Sequence, residues 1–161
     1  MKYIAVITFI ALSILLQSNA KADFYIENGV VGVGMWRILE SADREGLHLS
    51  VESNELSSFY DTRLIALAVI ADKGQRYYAL GISKDLWETE QFAFGIATHI
   101  GFVEEERRLG NELEFFSKVY ADYRFSNVNS ARLEFGHVSN AGTGERNPGS
   151  ENLTLSWVHR F

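Results

Sequence analysis

The sequence predicts an all-β chain, an eight-stranded antiparallel up-and-down transmembrane β-barrel preceded by a cleavable signal peptide. Three observations carry that reading. A single proline, thirteen glycines and 13 % aromatic residues suit strands and turns rather than helices. Apolar residues recur with period two, and in several segments the large side chains take one face and the small ones the other. The alternating segments count to eight, an even number that lets a sheet close without a free edge.

The chain begins with Lys2 ahead of an apolar run from Tyr3 to Leu16, then Gln17-Ser18-Asn19-Ala20-Lys21-Ala22. A charged start, an apolar centre and an A-x-A site describe a secretory signal over residues 1–22, and the run is short for a spanning helix. Residues 23–161 then form one domain. Its first strand alternates Phe24, Ile26, Asn28, Val30, Gly32, Gly34 and Trp36 with residues apolar on much of the other face. A polar turn from Ser41 to Gly46 leads to a second strand, where Leu47, Leu49 and Val51 alternate with His48, Ser50 and Glu52. A third is expected from about Phe59 to Ala71, and the turn Asp72-Lys73-Gly74-Gln75 opens a fourth from Arg76 to Ile82.

The fifth strand places Phe92, Phe94, Ile96, Thr98 and Ile100 opposite Ala93, Gly95, Ala97, His99 and Gly101. Small residues inward and large ones toward lipid are what a narrow barrel needs. The sixth sets Ser117, Val119, Ala121, Tyr123 and Phe125 against Lys118, Tyr120, Asp122 and Arg124. With Arg132 and Glu134 of the seventh, these charges can pair in a lumen. Asn127 to Ser130 should form a tight turn, and the seventh strand ends at Ser139. After a loop over residues 140–150, the eighth runs from Glu151 to Phe161. A terminal phenylalanine on such a strand resembles the C-terminal signature of bacterial outer-membrane barrels. With eight strands both termini lie on the periplasmic side, and loop 140–150 lies outside the cell.

Other classes are disfavoured. A net charge of −6 with no basic stripe gives no support for nucleic-acid binding. Cysteine is absent, which excludes disulfides and thiolate metal sites. His48, His99, His137 and His159 lack metal-ligand spacing, so a metal site is not expected.

His137 and Ser139 continue the outward row Ala131, Leu133, Phe135, and Glu151 opens the outward row of the eighth strand. A hydroxyl, an imidazole and a carboxylate on one face are the parts of acyl transfer: nucleophile, proton acceptor and the group that fixes the imidazole tautomer. With Ser139 opposite Glu151, Leu153 would face His137, and the carboxylate would be a diagonal neighbour of the imidazole, about 7 Å away at Cβ. A shift of two residues keeps the faces, and a shift of one puts Glu151 on the wrong side.

At these residues the chain resembles the PagL family of outer-membrane lipid A 3-O-deacylases. The likeness rests on His137-x-Ser139-Asn140-Ala141-Gly142, on Asn147-x-Gly149, and on Glu151 twelve residues after the serine. It extends weakly to the segment Phe115 to Phe125, while residues 23–112 match only in being barrel-like. The resemblance implies a serine esterase that removes the ester-linked 3-hydroxyacyl chain at position 3 of lipid A, with Ser139 as nucleophile, His137 as general base and Glu151 as orienting acid. It implies an oxyanion hole drawn from the Gly142 backbone and the Asn147 side chain, with Asn140 a further candidate. The implied partner is lipid A or lipopolysaccharide in the outer leaflet, with no cofactor, and a homodimer is left open. Two other readings stand beside it: a non-enzymatic outer-membrane barrel of structural or adhesive role, and a soluble periplasmic barrel holding a lipid in its lumen. The last would need an apolar interior.

Overall fold

The computed structural model describes residues 24–36, 38, 44–72, 75–104 and 109–161, so the expected signal segment lies outside the described residues. The strands are β1 (Ile26–Trp36), β2 (Arg44–Ser53), β3 (Arg63–Ala71), β4 (Arg76–Glu88), β5 (Phe92–Glu104), β6 (Leu113–Arg124), β7 (Asn129–Ser139) and β8 (Ser150–Arg160). Each pairs with the next, and β8 returns to β1 to close the barrel. All pairings are antiparallel.

Period-two patterning decides which side of the wall each residue takes. Val31, Val33, Phe94, Ile96, Ile100, Leu133, Phe135 and Leu155 are exposed on the outside. Between them the inward row is buried, as in β5, where Ala93, Gly95, Ala97, His99 and Gly101 face the lumen. A Lys or Arg on a lipid face costs about 2–4 kcal/mol at the bilayer midplane, so charge collects inside. Phe92, Tyr123, Phe125, Trp157 and Phe161 form an exposed aromatic band at the end where β1 begins and β8 ends.

The lumen is filled in two layers. Toward the termini lie ion pairs: Arg132 bonds Asp122 at 2.7 Å and also Glu52, with its guanidinium 4.5 Å from the centre of the Tyr120 ring. Lys118 bonds Glu134 at 2.5 Å, and Arg63 bonds Asp85 at 2.7 Å. Toward the other end is an aromatic layer, with Phe116 against Trp36, Tyr77 and His99 at centroid distances of 5.4, 6.4 and 5.5 Å. The small inward residues make room for these rings. A Cβ at Gly136 would run into Phe116 and stand 2.9 Å from Asn152 Oδ1. A charged, packed interior is the opposite of a lipid-holding lumen.

Several boundaries differ from expectation. The third strand begins at Arg63 rather than near Phe59, because Ser57–Phe59 form a 3-10 turn and Tyr60 and Asp61 take left-handed φ values of 59° and 53°. The turn before β7 falls two residues earlier than expected: Phe125 N–H donates to Asn129 O, and Asn129 already belongs to the strand. Arg124 sits at the rim, bonded to Glu88 at 2.6 Å, rather than within the lumen. A bulge between Ile26 and Asn28 turns Ile26 outward, and Arg44 to Gly46, expected as turn, are strand.

Candidate active site

The site is built on the β7–β8 hairpin, where Phe135, His137 and Ser139 project outward on β7 and Glu151 and Leu153 on β8. His137 pairs directly with Glu151, and Phe135 with Leu153. The register therefore differs by two residues from the one assumed with Ser139 opposite Glu151. The faces survive because the side-chain period is two, and the carboxylate moves from a diagonal position to one directly across from the imidazole. His137 Nδ1 lies 3.2 Å from Glu151 Oε1. The imidazole is half exposed and the carboxylate about a quarter.

With Nδ1 held by the carboxylate, Nε2 is the nitrogen left to face a substrate or a hydroxyl. Gly149 shows where it lies. A Cβ at that residue would stand 2.6 Å from His137 Cε1 and 3.0 Å from Nε2, and Gly149 has φ +67°. Continuing the strand register one pair beyond Val138–Ser150 sets Gly149 across from Ser139. The ring thus leans from its own pair toward the level of the serine, over a position that only glycine leaves open.

The loop after β7 is organised by Asn140, which is fully buried. Its Nδ2 donates to Leu109 O at 3.0 Å and to Arg146 O at 2.7 Å, and its Oδ1 accepts from Gly142 N–H at 3.0 Å. Its carbonyl accepts from Thr143 N–H at 3.0 Å and Thr143 Oγ1 at 2.7 Å. Ala141 and Gly142 carry φ of 52° and 79°, both positive as in a primed turn. Asn147 Oδ1 accepts from Asn140 N–H at 3.1 Å, a bond that uses the amide oxygen and not the amide hydrogens. Of the three residues considered for an oxyanion hole, Asn140 has both amide hydrogens engaged and Gly142 N–H is already bonded.

Sequence reasoning missed the role of Gly149 against the imidazole, although Pro148-Gly149 marks an irregular backbone. It also missed Leu109, whose carbonyl anchors the loop from the β5–β6 connection. No local signal points to that contact, since 31 residues separate it from Asn140.

A closed barrel with a charged lumen and an apolar outer belt defines an outer-membrane β-barrel protein. Its fold matches a crystal structure of the outer membrane enzyme PagL, with TM-score 0.60 and 19 % identity over 83 % of this chain and 99 % of that one. A de novo designed transmembrane β-barrel matches at TM-score 0.61 and 9 % identity, covering 85 % and 98 % of the two chains. Neisserial surface protein A matches at 0.51 and 13 %, covering 86 % and 97 %. No curated protein sequence matches the chain. The family model described as lipid A 3-O-deacylase (PagL) matches residues 45–160, and the chain belongs to that family. It is an outer-membrane esterase acting on lipid A.

Proposed function

We propose that Ser139, His137 and Glu151 carry out the deacylation, and the observation that carries this reading is the 3.2 Å contact between His137 Nδ1 and Glu151 Oε1 on the lipid-facing wall. The substrate approaches from the membrane, so a site on the outside of the barrel meets lipid A without any passage through the lumen. Ser139 Oγ attacks the carbonyl carbon of the ester at position 3 while its proton passes to His137 Nε2. Glu151 holds the Nδ1–H tautomer and stabilises the imidazolium. The oxyanion of the tetrahedral intermediate accepts from Asn147 Nδ2. The intermediate collapses, the C–O bond to the sugar breaks, and the leaving oxygen takes the proton from His137. Water then hydrolyses the acyl-serine with His137 again as base, releasing a 3-hydroxy fatty acid. No cofactor enters these steps.

The chain is exported with residues 1–22 as its signal and matures at Asp23. A homodimer would have to pack wall against wall, because the closed barrel leaves no strand edge for a second copy.

The deciding experiment expresses the protein in an outer membrane and weighs the extracted lipid A. Wild type should remove one 3-hydroxyacyl chain, Ser139→Ala should leave lipid A intact, and the same pair should be compared on detergent-dispersed substrate. Deacylation by a well-folded Ser139→Ala variant would overturn the assignment.

A further inference from the structure

Arg63, Arg76, Lys118, Arg124, Arg132 and Arg160 each have a carboxylate oxygen within 3.9 Å. Lys84 of β4 does not. Among the described residues the partner of its Nζ is the backbone carbonyl of Tyr60, to which it donates at 2.5 Å. Its side chain leaves the barrel on the lipid side, for Lys84 pairs with outward Ile96, while Asp85 next to it faces the lumen and accepts from Tyr120 Oη and Arg63. An ammonium on that face is tolerated only where its stem carries the charge to the membrane boundary. Tyr60 marks that boundary. It belongs to the β2–β3 turn, and Ser53, which ends β2, pairs with Ile26, so the turn lies at the rim where β1 begins.

The turn is held firmly. Thr62 Oγ1 and N–H donate to Phe59 O at 2.8 and 3.2 Å, and the N–H groups of Phe59 and Asp61 donate to Leu56 O at 2.9 and 3.1 Å. Tyr60 and Asp61 take φ of 59° and 53°, which bulky side chains rarely adopt. In this conformation the Tyr60 carbonyl meets the ammonium and the rings of Phe59 and Tyr60 are exposed. A bulge between Asp85 and Trp87 adds a third ring. Lys84 pairs with Ile96 and Trp87 with Phe94, so Lys84 and Trp87 are successive outward residues of β4. Trp87 is exposed, and neither its indole N–H nor Tyr60 Oη is hydrogen-bonded to a described residue.

An ammonium with two hydrogens unspent, a phenol and an indole N–H stand beside apolar Ile96 and Phe94. That combination suits a molecule with an anionic head, polar esters next to it and hydrocarbon tails. We propose that Lys84, Tyr60 and Trp87 bind the phosphate headgroup of a glycerophospholipid in the leaflet opposite the active site. The bound lipid is not the substrate of the esterase, because Glu151 opens β8 at the rim that bears loop 140–149 and the Tyr60 turn lies at the other rim. The site holds the barrel at a fixed depth from its far end.

The test titrates the detergent-solubilised protein with three probes and reads dissociation constants by native mass spectrometry. Dioctanoyl phosphatidylglycerol carries both phosphate and tails, dioctanoylglycerol the tails alone, and glycerol 1-phosphate the phosphate alone. Wild type should bind the first more tightly than either of the others. Lys84→Met keeps an apolar stem without the charge and should weaken phosphatidylglycerol binding by about fivefold or more, the contribution of one lysine at a membrane surface. Lys84→Arg should retain it, and Arg76→Met, at the opposite rim, should change nothing. Heat-modifiable migration shows that each variant is folded. Equal binding of phosphatidylglycerol and dioctanoylglycerol, or undiminished affinity in Lys84→Met, overturns the site, and glycerol 1-phosphate binding as tightly as the lipid overturns the choice of ligand. No turnover enters the measurement, so its result is independent of the roles given to Ser139, His137 and Glu151.

Discussion

At the scale of single residues, the contact between His137 and Glu151 makes a sharp demand on charge. Glu151→Gln keeps the shape of the side chain but removes the charge that fixes the tautomer and stabilises the imidazolium. We expect it to insert normally and to lose about 10²–10⁴ in kcat with little change in KM, because the interaction acts in the transition state. His137→Ala should lose at least as much, and the double variant should be no worse, since residues acting as a unit are not additive. Glu145→Gln, exposed in the same loop, should stay near wild type. Gly149 gives a second test at this scale. A methyl group there would meet the imidazole at 2.6 Å and sit at φ +67°, so Gly149→Ala should lower kcat by tenfold or more in a barrel that still folds. Near-normal turnover would show that the ring has room to lean elsewhere.

At the scale of elements, β7 and β8 deliver the chemistry and loop 140–149 shapes its upper edge. Asn140 ties that loop to the Leu109 carbonyl and to its own turn, so its side chain acts through the loop rather than on the substrate. Asn140→Ala should therefore make the loop cleave faster under limited proteolysis while the strands remain protected, and activity should fall with it. A variant that lost activity with an unchanged cleavage pattern would return Asn140 to the oxyanion hole. Asn147→Ala is the complementary case. Loss of one oxyanion donor costs about 10²–10³ in kcat. Strand register also acts at this scale, since it alone brings Thr98 of β5, Ser117 of β6 and His137 of β7 into one row.

At the scale of the whole molecule, the lumen holds the wall that presents the site. Arg132 is buried between Glu52 and Asp122, so Arg132→Ala leaves two carboxylates without their cation. Breaking a buried ion pair from one side costs about 3–5 kcal/mol. The folded, fast-migrating gel form should accordingly convert to the unfolded one at lower temperature or lower urea concentration than wild type. A hydrophobic exterior also places the protein with the outer membrane on fractionation, and the mature N-terminus read by mass should be Asp23.

The period-two rows by themselves determined which residues face lipid and which face the lumen, because a strand side chain has only two directions to choose between. They sorted the alternate residues Ala93, Gly95, Ala97, His99 and Gly101, and Lys118, Tyr120 and Asp122, inward, and they put His137, Ser139 and Glu151 on one outer face. Strand ends were less legible. Nothing in the composition of Phe59 to Thr62 announces two left-handed residues, and the Ile26 bulge reverses a side chain that a simple alternation places inward. What only the tertiary structure decided is register and reach. Both candidate registers of the β7–β8 hairpin satisfy the alternation, and the packed barrel selects the one with Glu151 opposite His137. Contacts such as Leu109 with Asn140, Thr98 with Ser117, and Arg132 with Glu52 join residues far apart in the chain. They depend on how the sheet closes around its filled lumen, and no local pattern encodes that closure.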